Sequence, residues 1–357
     1  MTAIHQFVPT LAPHDAVGMH YLAVQDALRD AGYRSDIYAF EAKGSLAKAA
    51  RPYASFDGGA RGEPTWLLYH SSIGSAVADF VNARDEPVIV DYHNITPAEL
   101  AARWEPAVAG MLMKGRRQLA DLEARASLGL ADSAYNAAEL EALGYTPTAV
   151  VPIMLEVAAM ESTPPDPRVT RDDRTTWLFV GRIAANKAQH DIIKSFAVYR
   201  RLYDPRARLR LVGGSSSHAY EHTLIEFIRA LGLEDVVELT GEVGEAEKMA
   251  YFETSDVYVV CSEHEGFCVP LLEAMYHRVP IVAYGATAIP ETLGDAGLVL
   301  SVKDAPTVAE AVQRVCSDST LRTQLVEAGT RRLADFDIAK SRAKLLAAIE
   351  PVVGPPR

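Results

Sequence analysis

Two glutamates, Glu265 and Glu273, stand eight residues apart in the stretch SEHEGFCVPLLEAM (262–275), on either side of Gly266, Phe267, Cys268, Val269 and Pro270. The stretch follows DVYVVCS, which reads as a strand, and Pro270 suits the first turn of a helix, where its missing N–H costs nothing. Backbone N–H groups around Phe267, Cys268 and Val269 would then form a helix N-terminus, which favours an anion. Carboxylates beside such a place repel phosphate but accept hydrogen bonds from hydroxyls. A second cluster, GRIAANKAQHD, follows the run TTWLFV. Gly181 lets the chain turn tightly there, and Arg182 and Lys187, a planar fork and a point charge, could converge on a phosphate. The pattern G-x-x-x-x-G-K is missing, so this is no Walker loop. A third strand end, Gly213 to Ser217, allows close backbone approach and is a weaker signal. Taken singly, each feature has a plain reading: solvated cations around a helix start, or a glutamate favourable to a helix dipole. Together they describe a ligand with a diphosphate between two hydroxyl-rich rings, which is a nucleotide-diphosphate sugar.

The elements that would position these residues alternate between short apolar runs and helix-like segments. AIHQFV, SDIYAF, TWLLYH, PVIVDYH, LGLAD and TAVVPI are strand-like, with helices expected over Ala16–Ala31 and about Pro97–Ala126. Between Glu156 and Arg174 the pattern stops in a polar, proline-containing linker. A second series then runs TTWLFVG, ARLRLVGG, DVVELTG, DVYVVCS, VPIVAY and AGLVL, and an amphipathic helix over Asp337–Ile349 ends the pattern. Continuous rather than alternating apolar runs imply strands buried on both faces, hence parallel sheets. The expected architecture is two α/β domains in tandem. They cover residues 1–165 and 166–335, with 336–357 a C-terminal helix crossing back towards the first domain.

The bulk numbers set limits. At 357 residues the chain exceeds one ordinary core, and 49% apolar with 23% charged residues is globular composition. A net charge of −12, with both halves acidic, excludes the basic field that nucleic-acid binding needs. Cys261, Cys268 and Cys316 make no disulfide framework and have no metal-ligand spacing. The N-terminus has no signal-peptide pattern and no run could span a bilayer, so the expected location is cytoplasmic. The helix segment 111–126 carries Lys114, Arg116, Arg117 and Arg125, read mainly as a solvated face. Its sharper reading is a weak peripheral contact with the inner membrane face.

SEHEGFCVPLLEAM resembles the E-x7-E motif of retaining GT-B glycosyltransferases of the bacterial group 1 (family four) class. FVGRIAANK is similar to that class's phosphate-binding strand end, and GATAIPETLGDAGLVL to the segment after the E-x7-E helix. The likeness covers about residues 175–300 well and the first half loosely. It implies the GT-B fold, two Rossmann-like domains across a cleft, and metal-independent transfer of a hexose from a nucleotide-diphosphate sugar. A GDP-mannose-like donor is favoured, with UDP-sugars next; the acceptor is a glycan, a lipid-linked or a small molecule. The resemblance points to cell-surface polysaccharide or glycoconjugate synthesis.

Roles follow residue by residue. Arg182 and Lys187 hold the donor diphosphate, Glu273 the ribose hydroxyls and Glu265 the sugar hydroxyls. Gly181 and the backbone of Gly266 to Val269 complete the donor site, and His93, in DYHNITPAEL, faces the reacting centre. Asp15, Gly18, His93 and Asn94 are acceptor-side candidates, with Tyr92 and Thr96 nearby and His20, His70 and His264 less supported. For Asp15 a helix cap is the plainer reading, and for His93 a structural bond to Asp91 or a backbone group. The resemblance implies no metal or cofactor, and the sequence agrees in that no Asp-x-Asp follows a strand. Two departures stand out: Cys268 replaces the usual glycine, with a thiol made reactive if the helix end lowers its pKa, and Gly18 stands alone where relatives carry two glycines. The alternatives are a same-fold epimerase or phosphorylase, or a non-catalytic subunit that binds sugar nucleotides or glycans. Oligomeric state is not legible.

Overall fold

The computed structural model describes residues 2–13, 16–59, 62–155 and 163–356. Two compact units emerge, one of Met1–Ala98, Ala107–Glu156 and Phe336–Arg357, the other of Glu99–Pro106 and Val157–Asp335.

The first unit runs β1 (Ala3–Leu11), α1 (Ala16–Asp30), β2 (Ile37–Ala42), β3 (Arg51–Pro52), β4 (Thr65–Ser71), α2 (Ala76–Asn82) and β5 (Val88–Tyr92). After α3 (Glu99–Ala102), which groups with the second unit, come α4 (Pro106–Leu122), β6 (Ala126–Ala131), α5 (Ala134–Ala142) and β7 (Thr148–Val150). The strands form one sheet in the order β3-β2-β1-β4-β5-β6-β7, every pair parallel. All five residues of β5 are buried, as a central strand covered on both faces requires.

The second unit continues with β8 (Thr176–Val180), α6 (Gln189–Leu202), β9 (Arg208–Val212), α7 (His218–Ala230), β10 (Val237–Gly241), α8 (Glu245–Glu253) and β11 (Val257–Val260). It ends with α9 (Pro270–Tyr276), β12 (Ile281–Tyr284), α10 (Ile289–Leu293), β13 (Gly297–Leu300), α11 (Ala305–Ser317) and α12 (Ser319–Leu333). Its sheet, again parallel, has the order β10-β9-β8-β11-β12-β13. Both β8 and β11 are wholly buried.

The final helix, α13 (Ile338–Val353), runs four residues past the expected Ile349 and contains Pro351. It packs into the first unit, where Leu345 and Ile349 join Ile4, Leu28, Leu68 and Ile89 in one core. Burying two such side chains contributes about 1.5–3 kcal/mol each.

Two expectations change. The single helix over 97–126 is two, because Pro106 has no N–H to continue a helix yet fits a first turn, and so opens α4. The intervening Trp104 stacks edge-on against Tyr220, with ring centroids 5.3 Å apart, so residues 99–106 group with the second unit. The exposed two-residue β3 carries no apolar run and has no sequence signal.

In each sheet the strand order reverses once, between β1 and β4 and between β8 and β11. Open α/β sheets bind ligands beyond the carboxyl ends of their strands at such a switch point.

Candidate functional site

At the switch point of the second sheet, the loops that follow β8 and β11 are stitched together. Glu263 N–H donates to the Asn186 carbonyl at 2.8 Å, and Asn186 Nδ2 to the His264 carbonyl at 3.3 Å. Lys187, in the short 3-10 turn after β8, places Nζ 2.6 Å from Glu265 Oε2. Thr287 fixes Glu265 from the other side: its hydroxyl accepts from the Glu265 N–H and donates to the Glu265 carbonyl, both at 2.8 Å. Thr292 Oγ1 donates to the Phe267 carbonyl at 2.7 Å. The loop bearing Glu265 to Val269 is thus held by hydroxyls of the GATAIPETL segment, a supporting role that the sequence reading did not give to these threonines.

Glu273 lies in the first turn of α9 and is buried, its Oε1 2.6 Å from Lys248 Nζ. Lys248 belongs to α8 and also meets Glu245 at 3.0 Å. Burial pulls the Lys248 ammonium down, but Glu273 and then Glu245 outweigh it, so its pKa stands raised and the charge is kept. Sequence reasoning missed Lys248. Its only signal is a lone cation in the acidic segment GEAEKMAYFE.

Gly181 follows β8, and Arg182 beside it is exposed, with no side-chain partner among the described residues. Gly213 explains the small residues after β9. Its φ is +140°, and a Cβ there would stand 2.2 Å from the Gly181 carbonyl oxygen, so the two strand ends meet only through glycine. The serines beyond have structural partners: Ser217 caps α7, and its Oγ also donates to the Trp104 carbonyl at 3.2 Å. Ser216 Oγ donates to Glu105 at 3.1 Å.

Cys268 has φ +70°, in the left-handed region that favours glycine, which accounts for the residue the resemblance leads one to expect there. Its thiol is buried, and burial, then Glu265, pushes its pKa well above the ordinary value. The expectation of a helix end lowering that pKa is corrected: desolvation outweighs the short helix α9.

In the first unit, His93 directly follows β5 and its side chain is wholly buried. His93 Nδ1 lies 3.0 and 3.1 Å from the two Asp132 oxygens, and Nε2 lies 2.9 Å from His70 Nδ1. Asp91, the plainer partner considered for His93, is 3.6 Å from it and 3.2 Å from His20. Asn94 is left-handed, with φ +69°, and donates to Asn136 at 2.7 Å, while its buried Oδ1 has no hydrogen-bond partner among the described residues. Gly18 is buried in the first turn of α1, and Asp15 lies outside the described residues. Of the basic residues near α4, Lys114 pairs with Asp79 at 2.8 Å and Arg116 with Glu139 at 3.3 Å. Arg125 donates to the Val81 and Glu86 carbonyls, so these cations serve the unit's own structure. No helix among the described residues is long and apolar enough to cross a membrane.

Comparison with known proteins agrees with this geometry. The chain is 28% identical over 172 residues to a D-inositol 3-phosphate glycosyltransferase of Corynebacterium aurimucosum, covering 47% of this chain and 41% of that protein. The match thus spans less than half the relative's length. Among solved structures, Anabaena HepE in complex with UDP and glucose aligns with a TM-score of 0.76 at 17% identity, over 98% of this chain and 100% of the other. Sucrose-phosphate synthase of Thermosynechococcus elongatus aligns at 0.75 and 18% identity, over 98% and 99%. These two show the fold, GT-B. Residues 165–332, which contain the residues described at the β8/β11 switch point, match the family of group 1 glycosyl transferases.

Proposed function

We propose that this protein is a retaining hexosyltransferase whose second unit binds a nucleotide-diphosphate sugar. The observation that carries the reading is the arrangement at the β8/β11 switch point: two buried glutamates, each held by a lysine at 2.6 Å, with an exposed Arg182 after β8 that has no side-chain partner among the described residues. Arg182 and Lys187 take the diphosphate. Lys187 exchanges Glu265 for a phosphate oxygen, and Glu265, released, accepts hydrogen bonds from the sugar. Glu273, oriented by Lys248, accepts from the ribose hydroxyls. As the anomeric C–O bond breaks, its electron pair goes to the leaving diphosphate, whose growing charge the two cations stabilise without a metal in the donor site. The acceptor hydroxyl attacks on the same face and its proton passes to the leaving phosphate oxygen. The acceptor side falls to the first unit, around Gly18 and the Oδ1 of Asn94, which has no partner among the described residues, with His93 acting by position because its Nδ1 is held by Asp132 and its Nε2 faces His70. The acceptor class is a glycan, a lipid-linked or a small molecule. The donor is GDP-mannose-like or a UDP-sugar, and UDP gains weight from HepE, which binds it.

A thermal-shift panel of UDP, GDP, ADP and TDP, and their sugar conjugates, without added metal, tests this. A ligand at a hundredfold excess over its Kd stabilises the native state by about 2.7 kcal/mol. One diphosphate should raise the melting temperature by several degrees, and Arg182→Ala should abolish that rise. No shift by any nucleotide at millimolar concentration would sink the reading.

A further inference from the structure

Charge in the interior of the first unit is out of balance. Asp91 and Asp132 are both buried and, among the described residues, have histidines but no lysine or arginine as ionic partners. Buried carboxylates are ordinarily paired with a cation or bound to a metal.

The hydrogens on the surrounding rings can be placed. Gln6 Nε2 donates to the Tyr21 carbonyl at 3.1 Å, which turns Oε1 towards His70 Nε2, 2.8 Å away, so that nitrogen carries the hydrogen. His93 Nδ1 likewise carries the hydrogen it gives to Asp132. Both rings therefore direct their hydrogens outward. His70 Nδ1 and His93 Nε2 face each other at 2.9 Å with their lone pairs, an arrangement that requires a cation between them. His20 differs. Its Nδ1 accepts the Met154 N–H at 2.9 Å, so Nε2 carries hydrogen and donates to Asp91 Oδ2 at 3.2 Å. It supports Asp91 and has no lone pair to give on that side.

The distances fit a metal. Asp91 Oδ2 is 3.3 Å from His70 Nδ1 and 3.6 Å from His93 Nε2. A point about 2.05 Å from all three atoms lies about 0.7 Å off their plane, and the ion of an ideal tetrahedral zinc site stands about 0.7 Å off the plane of three ligands. An octahedral face with the same bond length would need separations of about 2.9 Å throughout, and only one of the three meets it. Asp91 Oδ1, also buried, has no hydrogen-bond partner among the described residues.

We propose that His70 Nδ1, His93 Nε2 and the Asp91 carboxylate bind a zinc-class divalent ion, with Asp132, Gln6 and His20 orienting the ligands from behind. Carboxylate and amide partners on the far ring nitrogens are the usual support of metal-bound histidines. The ion's charge of two matches the two buried carboxylates, and three protein donors leave a fourth position for water or another oxygen ligand. The inference stands apart from the donor reading and replaces the expectation of no metal, which the resemblance implied and the missing Asp-x-Asp agreed with.

The test is a titration of chelator-treated full-length protein with Co2+, followed by Zn2+. One equivalent of cobalt should give the visible d–d absorption of a tetrahedral site, and zinc should abolish it and raise the melting temperature. Asp91→Asn and His70→Gln should lose the absorption, while His218→Gln, at an exposed position, should keep it. Folded wild-type protein that shows no such absorption overturns the proposal without recourse to variants, and means that the facing nitrogens share a proton alone. Absorption that persists in both ligand variants overturns it as well, placing the cobalt elsewhere.

Discussion

Lys187 and Lys248 each hold a glutamate of the second unit at 2.6 Å while remaining one-fifth exposed, whereas Asp91 and Asp132 of the first unit are 2% exposed and, among the described residues, have histidines alone as ionic partners. Both sets stand at a switch point of a parallel sheet, yet they do different work. A partly exposed lysine can leave its glutamate for another anion, because water screens the intermediate states. A buried acid among buried rings has no such freedom, and any change in its partners leaves charge or hydrogen unmatched. The second unit's arrangement suits a ligand that comes and goes; the first unit's suits a resident one.

The largest effect should come from removing one negative charge in each region. Asp91→Asn, in chelator-treated protein, leaves His20 and His70 facing an amide in a buried site, and should cost about 3 kcal/mol. Glu265→Gln frees Lys187 towards solvent and should cost about 1 kcal/mol or less, while weakening affinity for the nucleotide sugar, relative to the bare nucleotide diphosphate, at least tenfold. Calorimetric melting of both variants beside wild type checks the ranking. Equal losses of stability would erase the distinction between the two regions.

This difference also decides what the sequence discloses. Glu265, Glu273, Arg182 and Lys187 lie within two short stretches after strand-like runs, so their spacing carries the message. Lys248 lies 25 residues from its partner Glu273 on a separate helix and gives no local signal. The first-unit cluster draws on residues 6, 20, 70, 91, 93 and 132, from several strands and a helix. Their hydrogen-bond directions, which set the lone pairs, appear only with coordinates. Fold reads more easily than site. The apolar runs over β5, β8 and β11 announce buried parallel strands, while the break at Pro106 is a local steric fact inside an otherwise helical pattern.

A smaller effect separates the units by pH. His277, which closes α9 after Glu273, stacks on Phe252 with ring centroids 5.3 Å apart. Burial, then Lys248, pushes its pKa down to about 4. Glu253, 3.8 Å away, is the acid facing it. A histidine depressed in the folded state contributes stability that is fully present above its unfolded pKa of about 6.5 and is lost as pH falls towards 4. Between pH 7.5 and 5 the loss should be about 2 kcal/mol, felt in the second unit. His277→Phe, which keeps the stacking, should flatten that part of the melting-temperature profile. An unchanged acid slope in this variant would assign the loss to other groups.

The smallest expected effect is at Cys268, where two terms of similar size oppose each other. Cys268→Gly relieves a left-handed backbone worth about 1–2 kcal/mol for a residue with a Cβ. It also removes a buried side chain beside Tyr258 and Glu265, at a cost of about 1–2 kcal/mol. The net change in melting temperature should therefore be within a few degrees of zero. Nucleotide affinity should hold, since Lys187, Glu265 and Glu273 are untouched. The thiol itself should be inert to a disulfide reagent at pH 8 in the native state, as burial raises all three cysteines, Cys261 and Cys316 to about 12. Rapid labelling of Cys268 in folded protein would show a loop more open than its two threonine clamps allow, and would move the second unit's site towards the mobile, exchangeable extreme of the comparison.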